Sequence, residues 1–389
     1  MRQPPLLTAA MIVRDEERHL PDCLASLEGV VDEVVIVDTG SVDGSVAIAC
    51  AHGARVFHDA WDDDFSAPRN LGLDQARGRW ILVLDADERL RPISRSRVEA
   101  LLENAEEVAF RVRFHLFAGA TPCLEYRLWR NDPRIRFRGV VHNRVIDVLH
   151  EIADAEGSAI GVCELTVDHL GLAGDQASKH ERNLPLLQAQ LAVEPTNAHN
   201  WLHLSRVLRG LGRAEEGERV LERAVALAWE TGNEDGGVAC ADLVCLRQER
   251  GENVLVLLAQ GRARWPGNWM LVWIEGQLHL EAARHERAIA CFRRLLEVDA
   301  GLPQPVIYDE RIFGSWAQDA LGLALFRTGR YPEAAEAYAA AERLEPAAAG
   351  YRVKRRLAES RAGQAFSATG GATPSRRPSA GTIASSPSR

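Results

Sequence analysis

Apolar positions in the amino-terminal part of the chain follow two alternating rhythms. Residues 6–13, 33–37 and 80–84 are near-continuous apolar runs of strand length, and 54–57 is a shorter one. Between them, Leu20, Cys23, Leu24 and Leu27 fall at the three- and four-residue spacing of one helix face. Gly53 ends a helix that reaches Cys50, and Ser66 is placed to cap a helix over 67–76. Strands and helices alternating at these lengths predict right-handed crossovers and an α/β, Rossmann-like, mostly parallel sheet. From residue 108 to 168 the rhythm changes: short strand-like pieces at 108–115, 124–129 and 162–167 are joined by loops rich in Arg, Gly and Pro. This predicts a mixed extension of the same sheet, with loops able to close over a site.

Beyond Lys179 the pattern is helical and repeats itself. Aligning 198–227 with 315–344 matches Leu204 to Leu321, Leu208 to Leu325, Gly212 to Gly329 and Ala224 to Ala341, with Gly217 where the later copy has Ala334. Residues 269–300 form a third copy with Gly276, Ala288 and Phe292, and 233–268 a degenerate one. The pattern resembles tetratricopeptide helix pairs of about 34 residues, whose apolar faces only a neighbouring pair can cover, so an all-α solenoid is expected. From Gly363 the chain is Ser, Thr, Gly, Pro and Arg with few large apolar residues, a composition expected to stay disordered. The predicted organisation is a sheet domain over 1–177, helical repeats over 178–362 and a tail over 363–389.

Composition narrows the function. The 389 residues carry a net charge of -9, which argues against a nucleic-acid surface. No apolar run reaches the roughly 18 residues of a membrane span. The seven cysteines are scattered without a C-x-x-C pair and read as reduced thiols, so a cytoplasmic location is expected.

The chemistry concentrates at the strand ends. Arg14, Asp15 and Glu16 follow the first strand; Asp38, Thr39, Gly40, Ser41 and Asp43 follow the second; Asp85 and Asp87 follow the fourth. In an open parallel sheet these ends form the ligand-binding rim. Carboxylates crowded there repel one another unless a cation or hydrogen-bond donors stand between them. A hard divalent ion that keeps phosphate oxygens in its shell meets that need, and solvated turns capped by aspartates are the alternative.

The segments MIVRDEE, DEVVIVDTGSVDGS, WDDDFSAPRNLGL and GRWILVLDADE occur in this order and resemble the family 2 inverting glycosyltransferases of the GT-A fold over residues 6–170. The resemblance implies a nucleotide-diphosphate sugar donor, most simply a UDP-sugar, contacted by Val13, Arg14, Glu16, Asp38, Gly40, Ser41, Asp43, Arg69, Asn70, Asp85 and Ala86. Asp38 would read the uracil edge, Arg69 would sit near the nucleotide, Asp85 would contact ribose or sugar, and Asp87 would bind Mn2+ or Mg2+ bridging the diphosphate. YRLWRNDPRIRFRGVVHNRV and VDHLGLAGDQASKHERNLPLL are similar to a narrower branch with helical repeats, which includes lipopolysaccharide-core transferases and S-glycosyltransferases of bacteriocin peptides. By that likeness His169 is a further metal ligand, or else a cap on a strand end. Arg127 and Arg130 either neutralise diphosphate or are ordinary strand-edge charges.

One departure affects the mechanism. Related sequences carry His-Glu where this chain has His142-Asn143, and an amide cannot take a proton. Glu125, Asp132, Asp147 and His142 itself are the substitute bases. Expected partners are the nucleotide-sugar donor, a peptide, protein or glycan acceptor, and a second copy of the chain through the repeats. Two rivals remain at this stage. One is an inactive transferase fold acting as a repeat-based peptide scaffold. The other, a nucleotidyltransferase, is weakened because no Gly-rich phosphate loop stands near the N-terminus.

Overall fold

The computed structural model describes residues 4–139, 145–170 and 176–369. Eight strands form one sheet: β1 (Leu7–Val13), β2 (Glu33–Asp38), β3 (Arg55–His58), β4 (Trp80–Val83), β5 (Glu88–Leu90), β6 (Ala109–His115), β7 (Cys123–Arg130) and β8 (Ile160–His169), in the order β3-β2-β1-β4-β7-β6-β8-β5. The first four are parallel neighbours. β7 then runs antiparallel to both β4 and β6, β8 is parallel to β6, and β5 closes the edge antiparallel to β8.

Both faces of the parallel part are covered, which is why its strands read as unbroken apolar runs. Leu7, Ala9, Met11, Leu82 and Leu84 pack with Leu20, Leu24 and Leu27 of α1 (Leu20–Leu27), Ala49 of α2 (Ser45–Ala51) and Val98 and Leu102 of α4 (Arg95–Leu102). The alternate residues Ala10, Ile81 and Val83 face Leu73 of α3 (Ser66–Gln75) and Val148, Leu149 and Ile152 of α5 (Ile146–Glu156). Three of these elements are absent from the expected pattern. The short β5 and the helices α4 and α5 occupy stretches read as loops or left unassigned. They are stabilised by what they pack against; α4 buries only Val98 and Leu102, against four residues in the equally long α1, and β5 has three residues, so neither leaves a clear periodicity.

The helices that follow are α6 (Gln176–Val193), α7 (Ala198–Gly210), α8 (Ala214–Thr231), α9 (Glu234–Glu249), α10 (Leu255–Arg264), α11 (Trp269–Glu281), α12 (His285–Leu296), α13 (Ser315–Arg327), α14 (Tyr331–Leu344) and α15 (Ala349–Thr369). The repeat register is kept to the residue: α7, α11 and α13 begin at equivalent positions, and so do α8, α12 and α14. In the later copies the small residue of the first helix lies directly under the aromatic of the second. A Cβ on Gly276 would stand 2.7 Å from the Phe292 ring, and one on Gly322 would stand 2.7 Å from Tyr338, so these glycines set the close helix spacing. α15 runs to Thr369, past Gly363, and the rest of the tail lies outside the described residues.

The chain divides into two compact units. One runs to Glu275 and includes Glu297–Phe313; the other holds Gly276–Leu296 and the helices from Gly314 onward. The sheet and the first helical pairs therefore belong to one body. No described helix is long and apolar enough to cross a membrane.

Candidate active site

The parallel strands β1, β2 and β4 end at one rim, where three loops meet. The first two are laced together by reciprocal hydrogen bonds. The Glu16 N–H donates to Ser45 Oγ (2.7 Å), the Glu17 N–H to Asp43 (3.0 Å), and the Gly44 and Val42 N–H groups to Glu17 (2.9 Å) and Asp15 (2.8 Å). Ser41 Oγ accepts from the Asp15 N–H at 3.0 Å. Gly40 turns the second loop at φ +102°, a conformation that side-chain-bearing residues rarely adopt. Val13 is buried beside Asp38 in the β1–β2 register, and Arg14 is exposed.

Asp38 is buried, and its carboxylate accepts from the Gly40 and Ser41 N–H groups (both at 3.2 Å) and meets His58 Nδ1 at 3.2 Å. Burial alone would raise its pKa; the bonds from Ser41, His58 and Gly40 outweigh burial and hold it below the usual carboxylate range.

Asp85 and Asp87 differ in their surroundings although one residue separates them. Asp85 is bonded to Arg69 at 2.7 Å, with Arg127 at 3.9 Å. Burial pushes its carboxyl up, but the two guanidinium groups win and hold it at about 2. Among the described residues Asp87 has no such guanidinium partner. Its Oδ2 lies 3.5 Å from His169 Nε2, brought there because β5 pairs antiparallel with β8 and sets Glu88 opposite His169. His169 Nδ1 is buried without a hydrogen-bond partner among the described residues. Ala86, between the two aspartates, is buried, and its carbonyl accepts from Arg89.

Glu16 shows the cost of this crowding. Burial raises its pKa to about 7, with Asp87, Asp85 and Asp43 adding to the rise and Lys179 of α6 opposing it. Such a group binds its proton more tightly in the folded chain than in the unfolded one. Its contribution to stability is therefore full below about pH 4.5 and lost as pH climbs through about 7. The metal-free protein is expected to lose thermal stability between about pH 5 and pH 8, and Glu16→Gln should flatten that slope. Parallel pH profiles of midpoint temperature for the two proteins would refute this reading.

Beneath the rim lies Glu88, 1% exposed and unremarked in the sequence. One oxygen accepts from Arg127 (2.8 Å) and the other from the Asp85 N–H (2.9 Å). Burial raises its pKa to about 7 against the pull of Arg127, and Asp85 adds to the rise. The only sequence signal was its place next to Asp87, since nothing local marks a glutamate as buried.

The other expected residues divide. Asn70 lies in the same helix turn as Arg69, but its amide bonds both ways to the backbone of Phe137 (3.0 and 2.8 Å) and so positions that segment. Arg69 also lies over the Phe137 ring, 5.5 Å from its centroid. A cleft of about 580 Å3 opens here, lined by Arg69, Asp85, Glu125, Arg127, Phe137, Val145 and Ile146, with His199, His203 and Asp235 on its helical side. Glu125 is thus level with Asp85. Asp132 is not: β7 runs antiparallel to β4, so Asp132 follows Arg130 at the opposite edge, where Arg134 holds its carboxyl below the usual range. Arg130 likewise points away, donating to the Ala105 carbonyl at 3.1 Å. Asp147 is exposed in the first turn of α5. His142 and Asn143 lie outside the described residues.

Among the described residues no three His, Cys, Asp or Glu side chains are close enough to enclose a metal ion. Asp87 and His169 nevertheless offer an oxygen and an imidazole nitrogen of the kind a divalent ion accepts, and the crowded charge on Glu16 is what such an ion relieves. The donor set fits an ion that takes its remaining ligands from diphosphate and water.

Fold and rim together define an α/β protein whose acidic loops gather at the carboxyl ends of parallel strands, the edge where open sheets of this class bind ligands. Residues 8–133 match the family described as "Glycosyl transferase family 2". A lipopolysaccharide core biosynthesis glycosyltransferase, LpsC, of Rhizobium meliloti is 33% identical over 198 residues, covering 48% of this chain and 72% of that protein. The chain belongs to glycosyl transferase family 2. A TPR repeat-containing protein of Synechococcus elongatus is 37% identical over 226 residues, 56% of each chain. The SPbeta prophage-derived glycosyltransferase SunS of Bacillus subtilis is 24% identical, covering 57% of this chain and 53% of its own. The matches span about half the length of these last two relatives. Among solved structures, Staphylococcus aureus TarS 1–349 aligns with 59% of this chain and 92% of its own at 15% identity and a TM-score of 0.33.

Proposed function

We propose that the protein is a metal-dependent inverting glycosyltransferase that moves a sugar from a UDP-sugar to an acceptor hydroxyl or thiol. The observation that carries this is the meeting of Glu16, Asp85 and Asp87 at one rim, with Glu16 pushed to about 7 by burial and by its acidic neighbours. Asp38 and the Gly40–Ser41 turn are read as the base and ribose end of the donor site. Asp87, with His169, would hold Mn2+ or Mg2+. Bound there, the ion neutralises charge that gathers on the leaving diphosphate. Asp85, kept ionised by Arg69 and Arg127, is left to accept hydrogen bonds from sugar or ribose hydroxyls. Arg127 adds positive charge to the same cleft.

The domain reading follows: transferase over 1–177, repeats over 178–362. The repeats are proposed to serve the acceptor or self-association. One relative bears on the acceptor, since the name of LpsC refers to lipopolysaccharide core biosynthesis. Seven free thiols, most of them buried, suit a reducing compartment and support a cytoplasmic location.

Calorimetric titration of the full chain with UDP tests the donor site. Binding is expected with Mn2+ present, and affinity should drop at least tenfold in excess chelator. Equal affinity in both conditions would remove the metal from the scheme, and no binding in either would remove the nucleotide.

A further inference from the structure

A transfer of this kind needs a group to take the acceptor's proton, and of the carboxylates at the sheet edge Glu125 lines the cleft, where the Cys123 thiol lies 3.7 Å from its Oε1. Asp132 faces the wrong rim. The carboxylate expected beside His142 is replaced by Asn143. The cleft that holds Asp85 has a second wall, made by the first turns of α7 and α9. There His199 Nδ1 meets Asp235 Oδ2 at 3.2 Å, and the His203 ring packs against His199 with centroids 4.4 Å apart.

The placement of this pair departs from the repeat. His199 and Asp235 occupy the second position of the first helix in consecutive pairs. The later pairs fill that position with Met270 and Trp316. Apolar residues suit a solenoid surface that packs; a histidine and an aspartate aimed at each other do not contribute packing of that kind. Both are about one-third exposed, so the pair is open to the cleft. An adjoining cleft of about 730 Å3 shares His199, His203, Asp235 and Glu125 and continues past Arg206 to residues 303–307. An acceptor lying along it would pass the pair on its way to Asp85.

We propose that His199, oriented by Asp235, is the general base of the transfer, an assignment that rests on the function proposed above. With Nδ1–H directed at Asp235, the lone pair sits on Nε2. The acceptor O–H or S–H gives its proton to Nε2 as the oxygen or sulfur bonds the anomeric carbon. The bond from that carbon to the diphosphate oxygen breaks, and its electron pair leaves on UDP. The imidazolium then returns its proton to solvent. The repeats thereby become part of the catalytic apparatus, and the loss of an acidic residue at Asn143 is made good from a different domain.

Water can stand in for the acceptor, so the test uses UDP release from UDP-glucose, UDP-galactose and UDP-N-acetylglucosamine by the full chain with Mn2+. His199→Ala is expected to lower turnover about a hundredfold or more, with KM for the donor and affinity for UDP unchanged. Added imidazole should restore part of the rate to His199→Ala but none to Asp87→Ala. Asp235→Asn should lower turnover about tenfold without imidazole rescue, because the ring is present but wrongly held. UDP binding intact with His199→Ala at the wild-type rate, or a loss that imidazole leaves unchanged, overturns the base assignment alone. Failure of the unaltered chain to bind UDP overturns the assignment together with the function it rests on.

Discussion

Asp87→Ala is expected to reduce UDP release from a UDP-sugar by at least about a thousandfold, roughly 4 kcal/mol of transition-state stabilisation, while the fold survives. The loss is large because leaving-group charge in a partly dry cleft has few alternative stabilisers. The fold survives because Asp87 makes little structure: among the described residues its side chain pairs with His169 alone, at 3.5 Å. Removing it also relieves Glu16, whose proton Asp87 helps to retain. The thermal midpoint of the metal-free variant should therefore be equal to or above that of the parent at neutral pH. Turnover within tenfold of the parent would dismiss Asp87 as the metal ligand, and a collapsed midpoint would make it a structural residue instead.

The second large effect is on stability. Arg127→Ala is expected to destabilise the protein by about 3–5 kcal/mol above about pH 8, where Glu88 is otherwise ionised, because it leaves that carboxylate buried without its cation. The guanidinium also lies over the Phe114 ring at 5.3 Å, so the truncation opens space beside β6 as well. Urea unfolding should show a lower midpoint with an unchanged slope. The double variant Arg127→Met with Glu88→Gln should recover much of the loss, since neither partner then carries a buried charge. A single variant within about 1 kcal/mol of the parent would mean that the pair is solvated and that Arg127 belongs to the ligand alone.

The paired predictions separate two neighbours that sequence reading cannot rank. Asp85, Asp87 and Glu88 occupy four consecutive positions with Ala86, and all three acidic residues look alike on paper. In the fold Asp85 is held ionised by Arg69 and Arg127, Glu88 is sealed below the rim, and Asp87 is left toward His169. The distinction comes from residues about forty positions away for Arg127 and about eighty for His169, which register on β7 and β8 brings to the same edge.

Local pattern carries much of the fold, although the 11-residue α5 escapes it. The parallel strands, their crossover helices and the helical repeats all announce themselves through periodicity, because burial on both sheet faces or on one helix face imposes a spacing on the chain itself. The aligned repeat windows open at 198, 269 and 315, the residues at which α7, α11 and α13 begin. Asp132 and Arg130 illustrate the limit: their chemistry suited the site, but strand direction decides which rim a residue occupies, and composition carries no record of direction.

The order of apolar and polar residues thus determined the elements, their class and the acidic loops at the strand ends, since these follow from backbone geometry within a dozen residues. Only the tertiary structure decided which carboxylate is neutralised, which is buried and which is left for a ligand, and only it set His199 and Asp235 opposite Asp85. Charge interactions act through space and weaken with distance, screened over about 10 Å at ordinary ionic strength, so their outcome depends on partners that the chain brings together only once it has folded.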